Sequence, residues 1–183
     1  MKRAKRDRAL SQLYADVESG DFDIREFAMF QLALMLRRSD GRAPSSEQID
    51  EDEHLTRDQL RIRLSSDDQA QVASHLLRVV SRHADSSATA FWALCEVASD
   101  VAFGPALSVI GDYGEQFNDE AAYQACRALR RWLEMDSRDR RLLKELKGDD
   151  GVWSCLKRWS CSGDIRLAKN ANAIINRARE GSN

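Results

Sequence analysis

Residues 30–38, FQLALMLRR, return without a gap at 123–131 as YQACRALRR. An aromatic residue, a glutamine and a Leu-Arg-Arg ending recur 93 residues apart, close to three units of about 31. A second echo, AFWA at 90–93 and AYQA at 122–125, has an offset of 32, and DIR opens a helix-like segment at both 23–25 and 164–166. Echoes near one period predict stacked helix pairs, each unable to bury its apolar face alone.

The first echo lies in an apolar run, Phe27–Leu36, in which only Gln31 is polar. A membrane-spanning helix needs about 20 such residues, so ten exclude spanning on length. The period of 3.6 assigns Ile24, Phe27, Ala28, Leu32 and Met35 to a core-facing stripe. Met29, Phe30 and Leu34 fall off it and need cover. The N-terminal helix, through Leu10, Leu13 and Tyr14, is expected to supply that cover, with a partner as the alternative.

Extending outward, amphipathic segments occur at roughly 5–18, 22–38, 66–83, 87–99, 101–115, 118–134, 138–147, 150–160 and 164–180, nine helices with no convincing strand. Two prolines and nine glycines in 183 residues leave few breakers or hairpin turns. Candidate N-caps are Asp21 or Asp23, Ser66, Ser86, Asn118, Ser137 and Gly163 or Asp164. One domain spanning 1–183 is expected, interrupted at about 39–54 by SDGRAPSSEQIDEDEH, a polar stretch with four consecutive acids, Asp50–Glu53. Leu55–Leu64 reads as a short helix leading back to the pattern.

Asp23-Ile24-Arg25 with Ala28, and Asp164-Ile165-Arg166 with Ala168, stand as the opening of the second helix does in HEAT-like or armadillo-like repeats. Asn118–Ala122 has the same form without the arginine. The chain resembles that family over about four-fifths of its length. The resemblance implies an all-α fold: a short α-solenoid of stacked antiparallel helix pairs, presenting an extended surface to another protein.

Chemistry is sparse by comparison. The four cysteines form no C-x-x-C pair and the three histidines no ligand pattern, so no structural metal is expected, and the cysteines read as free core residues in a reducing compartment. A basic N-terminus leads into an amphipathic segment instead of an apolar stretch, and a cytoplasmic location is the expectation. No Gly-rich phosphate loop, G-x-S-x-G or H-E-x-x-H is present. His75 and His83 share a helix face without a third ligand. Catalytic residues and cofactors are therefore expected to be absent. Some bacterial alkylpurine DNA glycosylases use HEAT-like repeats, but this chain is shorter than those enzymes and their catalytic residues are not placed on it.

Charge supplies the remaining signal. Residues 127–183 carry 14 lysines and arginines against 8 acids, residues 1–8 carry 5 against 1, and the middle of the chain is strongly acidic. Arg127, Arg130, Arg131, Arg37, Arg38, Lys157 and Arg158 are the candidate partner-binding residues. Trp132 and Trp159, each following two basic residues, continue apolar stripes and are expected in the core instead of on nucleic-acid bases. The expected function is a non-catalytic protein-binding or scaffolding module. Nucleic-acid binding through the basic C-terminal third is one alternative. An inhibitor or immunity-type role, presenting an acidic surface to a basic target, is another.

Overall fold

The computed structural model describes residues 2–39, 54–135 and 141–180. Among these, nine α-helices and no strand occur: α1 (Lys2–Val17), α2 (Phe22–Ser39), α3 (Ser66–Arg82), α4 (Ser87–Leu94), α5 (Ser99–Tyr113), α6 (Asp119–Met135), α7 (Arg141–Gly148), α8 (Asp150–Trp159) and α9 (Ile165–Glu180). None is long and apolar enough to cross a membrane.

Helix starts follow from side chains that satisfy first-turn amides. Asp21 accepts from the Ile24 amide, Asn118 from Ala121, Asp149 from Val152 and Asp164 from Arg166 and Leu167. Ser65, one residue before the expected Ser66, caps α3 and forms a reciprocal capping box with Asp68. Ser86 makes no cap. It is buried, and its hydroxyl accepts from Arg25 Nε at 2.8 Å. The expected helix at Leu55–Leu64 shortens to one 3-10 turn, Gln59–Arg61, because Thr56 and Gln59 bond each other's backbone amides in a local turn. Residues 40–53 of the polar insert expected at about 39–54, and the Ser137 cap, lie outside the described residues.

Packing alternates along the chain. α1 packs on α2, α3 on α4, α5 on α6 and α8 on α9. One row of contacts runs α1–α3–α5–α8 and a second α2–α4–α6–α9, with α7 placed against α5, α8 and α9. A contiguous apolar core runs between the rows from Leu10 to Ala178. At its centre Trp132 is fully buried, its indole N–H donating to the Val97 carbonyl at 2.9 Å, and Trp159 is buried likewise. Where α5 meets α8 the backbones nearly touch: a Cβ on Gly151 would lie 3.1 Å from the Gly111 Cα.

The buried face of α2 keeps Ala28, Leu32 and Met35 of the expected stripe but is wider than it and loses the two N-terminal members. Met29 and Leu34 are buried with Leu10, Leu13 and Val17 of α1, whereas Ile24 and Phe27 are about half exposed. Flanking helices on two sides, α1 and α4, bury a face wider than a single stripe, and at the start of α2 an arginine enters that face. Arg25 is 2% exposed. Its guanidinium donates to the Ser19 carbonyl at 2.8 Å, to Ser86 and to both carboxylate oxygens of Asp85, so every face of the fork is used.

The second DIR behaves differently. Asp164 is the N-cap of α9, but Asp23 sits inside the first turn of α2, after the cap at Asp21. The two motifs are thus two residues out of phase with their helices, which places the arginines on different faces. Arg166 is exposed and pairs with Asp164 and Glu120.

Candidate functional site

The exposed face of α2, α4 and α6 forms an open groove of about 570 Å³. Phe27 and Phe30 of α2, with Trp92 of α4, supply its aromatic part; Ala88, Thr89 and Gln124 complete the walls. Phe30 lies stacked on Trp92, ring centres 5.6 Å apart, and meets His54 edge-on at 5.5 Å. Those contacts fix Phe30 and Trp92, while Phe27 remains 49% exposed. Trp92 and Gln124 occupy matching positions in AFWA and AYQA. Both line the groove, while the flanking alanines Ala90, Ala93, Ala122 and Ala125 are buried.

Three acids, Asp23, Glu26 and Glu120, line the same groove, and no lysine or arginine does among the described residues. Glu120 is paired with Arg166, whose guanidinium also stands 4.8 Å over the Tyr123 ring. Glu26 is held by Thr89, whose hydroxyl donates to Oε2. Its other oxygen, Oε1, is buried and has no donor among the described residues. An unmatched buried acceptor costs on the order of 1–3 kcal/mol, and more when charged.

The basic residues singled out from sequence are dispersed over the molecule, and several are engaged internally. Arg131 makes a two-point ion pair with Glu96, and Arg37 reaches the same carboxylate at 3.1 Å while lying 5.0 Å over Trp92. Arg158 donates to the Gly114 and Glu115 carbonyls at the end of α5. Arg130 pairs with Glu134 on the next turn at 2.7 Å. Arg127 donates to Gln124 on the groove wall and lies 5.9 Å from the centre of the Tyr123 ring. Arg38 is half-buried, and Lys157 is exposed on α8. Arg37, Arg127 and Arg131 thus gather around the α2–α4–α6 face, whereas Lys157 and Arg158 lie on α8 in the other row.

Glu96 and Glu26 were not marked by sequence reasoning. Glu96 carried a signal, being the only charged residue in SSATAFWALCEVAS at 86–99, between the two echoed Leu-Arg-Arg endings. Glu26 carried none, since an acid in the first turns of a helix reads as dipole compensation.

A second polar cluster joins α1 to α3. Tyr14 stacks on His75 with ring centres 4.3 Å apart, and Glu18 contacts His75 Nδ1 at 2.6 Å and Arg78 at 2.8 Å. Burial holds the imidazole pKa down, helped by Arg78 and opposed by Glu18. For Glu18, burial works upward but is outweighed by His75, Arg78 and Arg82, which lower its carboxyl pKa. Burial and the nearby Asp68 push the Tyr14 hydroxyl up to about 12. Among the described residues no group of three or more His, Cys, Asp or Glu is placed to hold a metal ion. Cys95, Cys126 and Cys155 are buried free thiols, while Cys161 is exposed. Burial drives the Cys95 thiol up to about 11 and raises the other two buried thiols, which suits packing and opposes nucleophilic chemistry.

No family model, no curated protein and no solved structure gives a significant match to this chain.

Proposed function

We propose that this chain is a non-catalytic protein-binding module, a short α-solenoid of HEAT-like helix pairs whose α2–α4–α6 row receives another protein. The observation that carries the reading is the groove on that row, in which Phe27 stands half exposed beside the fixed ring pair of Phe30 and Trp92. A half-exposed aromatic beside rigid ones is the kind of anchor that dominates protein interfaces. The alternating order of helix packing supports the solenoid part of the reading, since successive pairs then offer equivalent helices along one surface. Arg127 and Arg130, at the edge of the same row, extend the contact area beyond the groove.

The engagement of Arg37, Arg131 and Arg158 with carboxylates and carbonyls weighs against a nucleic-acid surface, because those donors are already used. The test is affinity capture from the native host with the intact chain and with Phe27→Glu. A protein retained by the first and lost by the second supports the module, provided helical circular dichroism is unchanged. Identical capture by both chains removes the groove from the binding surface.

A further inference from the structure

We infer that the groove takes a basic amphipathic segment of a partner protein, seating an arginine on Glu26 and its apolar neighbours on Phe27, Phe30 and Trp92. The inference rests on the protein-binding reading above and specifies the chemistry of the occupant.

Charge complementarity chooses that occupant. Glu120 is already matched by Arg166 and Gln124, but Asp23 and Glu26 line the groove with no ion pair among the described residues, and no base lines it there, so a phosphate backbone or an acidic peptide meets repulsion at the aromatic anchors. Glu26 then fixes the position of the cation. Thr89 donates to its Oε2 and holds the carboxylate to the wall, leaving Oε1 buried with no donor among the described residues. A guanidinium offers several N–H groups in one plane, enough to span the groove-lining side of Glu26 and the exposed Asp23 one turn before it while its flat face rests on an aromatic ring. The protein handles its own arginines in this way nearby: Arg37 lies over Trp92 while paired with Glu96, and Arg166 lies over Tyr123 while paired with Glu120. An ammonium has no planar face to stack, so lysine is the poorer occupant. A groove of about 570 Å³ accommodates a few side chains of a segment lying across it, in the range typical of recognition sites.

The test uses a short fluorescein-labelled peptide of alanine, leucine and arginine in an amphipathic helical pattern, read by anisotropy at low salt. A matched peptide carries glutamine in place of arginine. Glu26→Gln keeps the shape of the side chain and removes its charge; Phe27→Ala removes the anchor; Glu180→Gln, at the end of α9, is the charge control. The expected result is binding of the arginine peptide to the wild type and to the control, weakened about tenfold by either groove substitution. The glutamine peptide should bind no more tightly to the wild type than the arginine peptide binds to Glu26→Gln. Equal binding of both peptides, with Phe27→Ala still weakening both, overturns the basic occupant and leaves the groove reading intact. Failure of the arginine peptide to bind, or binding indifferent to both groove substitutions, also overturns the inference, while Phe27→Glu in affinity capture judges the groove reading separately. A wild-type dimer in sedimentation that Phe27→Glu converts to monomer overturns it in favour of a second copy of the chain.

Discussion

Arg131 closes on Glu96 through two parallel contacts, Nη1 to Oε1 at 3.1 Å and Nη2 to Oε2 at 2.8 Å, with the glutamate only 6% exposed. Glu96 lies in the turn after α4, Arg131 on α6, and Arg37 adds a third contact from α2. One carboxylate therefore ties together three successive helices of the row that bears the groove. Removing one member of a buried pair leaves its partners uncompensated, which costs far more than the pair contributes net. Glu96→Ala should lose about 3 kcal/mol of stability and Glu96→Gln somewhat less, since the amide still accepts one hydrogen bond. Urea unfolding with an unchanged slope measures this. A loss below that of an ordinary surface pair would show that the cluster is not structural.

Arg25 has a comparable role at the start of the same row. Arg25→Ala should cost about 3 kcal/mol, and Arg25→Lys should restore little of it, because an ammonium cannot serve Ser19, Ser86 and Asp85 together. Asp85 is mostly exposed, so Asp85→Asn should cost under about 1 kcal/mol. Thermal unfolding of the three variants compares them directly. Equal losses in Arg25→Ala and Asp85→Asn would make the ion pair, and not the whole set of contacts, the source of stability.

Acid should destabilise the protein through the α1–α3 cluster. His75 is held below its ordinary value of 6.5, so as pH falls past 6.5 the unfolded chain takes up a proton that the folded protein refuses. Stability from this residue is full above that value and is lost as pH drops through the folded pKa. Glu18, also held below its ordinary value, acts in the same direction as pH falls through the carboxylate range. His75→Gln should therefore flatten the fall in thermal midpoint between about pH 7 and pH 5 relative to the wild type. Parallel curves for the two proteins would refute the assignment.

At the end of α5, a Cβ on Gly114 would stand 2.7 Å from Cys155 Sγ and 3.4 Å from both Ile110 and Trp159. Gly114→Ala should cost about 1–3 kcal/mol by overpacking. Adding Cys155→Ala, which removes the sulfur, should recover part of that loss, so the double variant is more stable than the two single losses predict. Additive losses would place the strain elsewhere, at Trp159 or Ile110.

Local signals made the helices legible. Spacing of apolar residues located all nine described helices, eight of them to within about three residues at either end and the expected 87–99 helix stopping five short at Leu94, and Asp21, Asn118 and Asp164 marked starts because a cap acts on amides two or three residues away. The AFWA and AYQA echo placed Trp92 and Gln124 at matching positions on one groove. Other echoes misled. The two DIR motifs differ by two residues in phase with their helices, burying Arg25 and exposing Arg166. The Leu-Arg-Arg endings place Arg37 and Arg131 on one glutamate, although Arg37 aligns with Arg130. Because α4 lies between α2 and α6, residues converging on Glu96 leave opposite edges of the flanking helices.

The sequence by itself determined that the described residues are helical, roughly where their helices lie and that Trp132 and Trp159 are buried, since those depend on neighbours within a turn or two. Tertiary packing alone decided which side of α2 is exposed, which arginines are engaged and where acids meet aromatics. Each of those depends on distances between residues some 30 to 60 positions apart, such as Arg131 and Glu96 or Thr89 and Glu26, and helix periodicity carries no information about them.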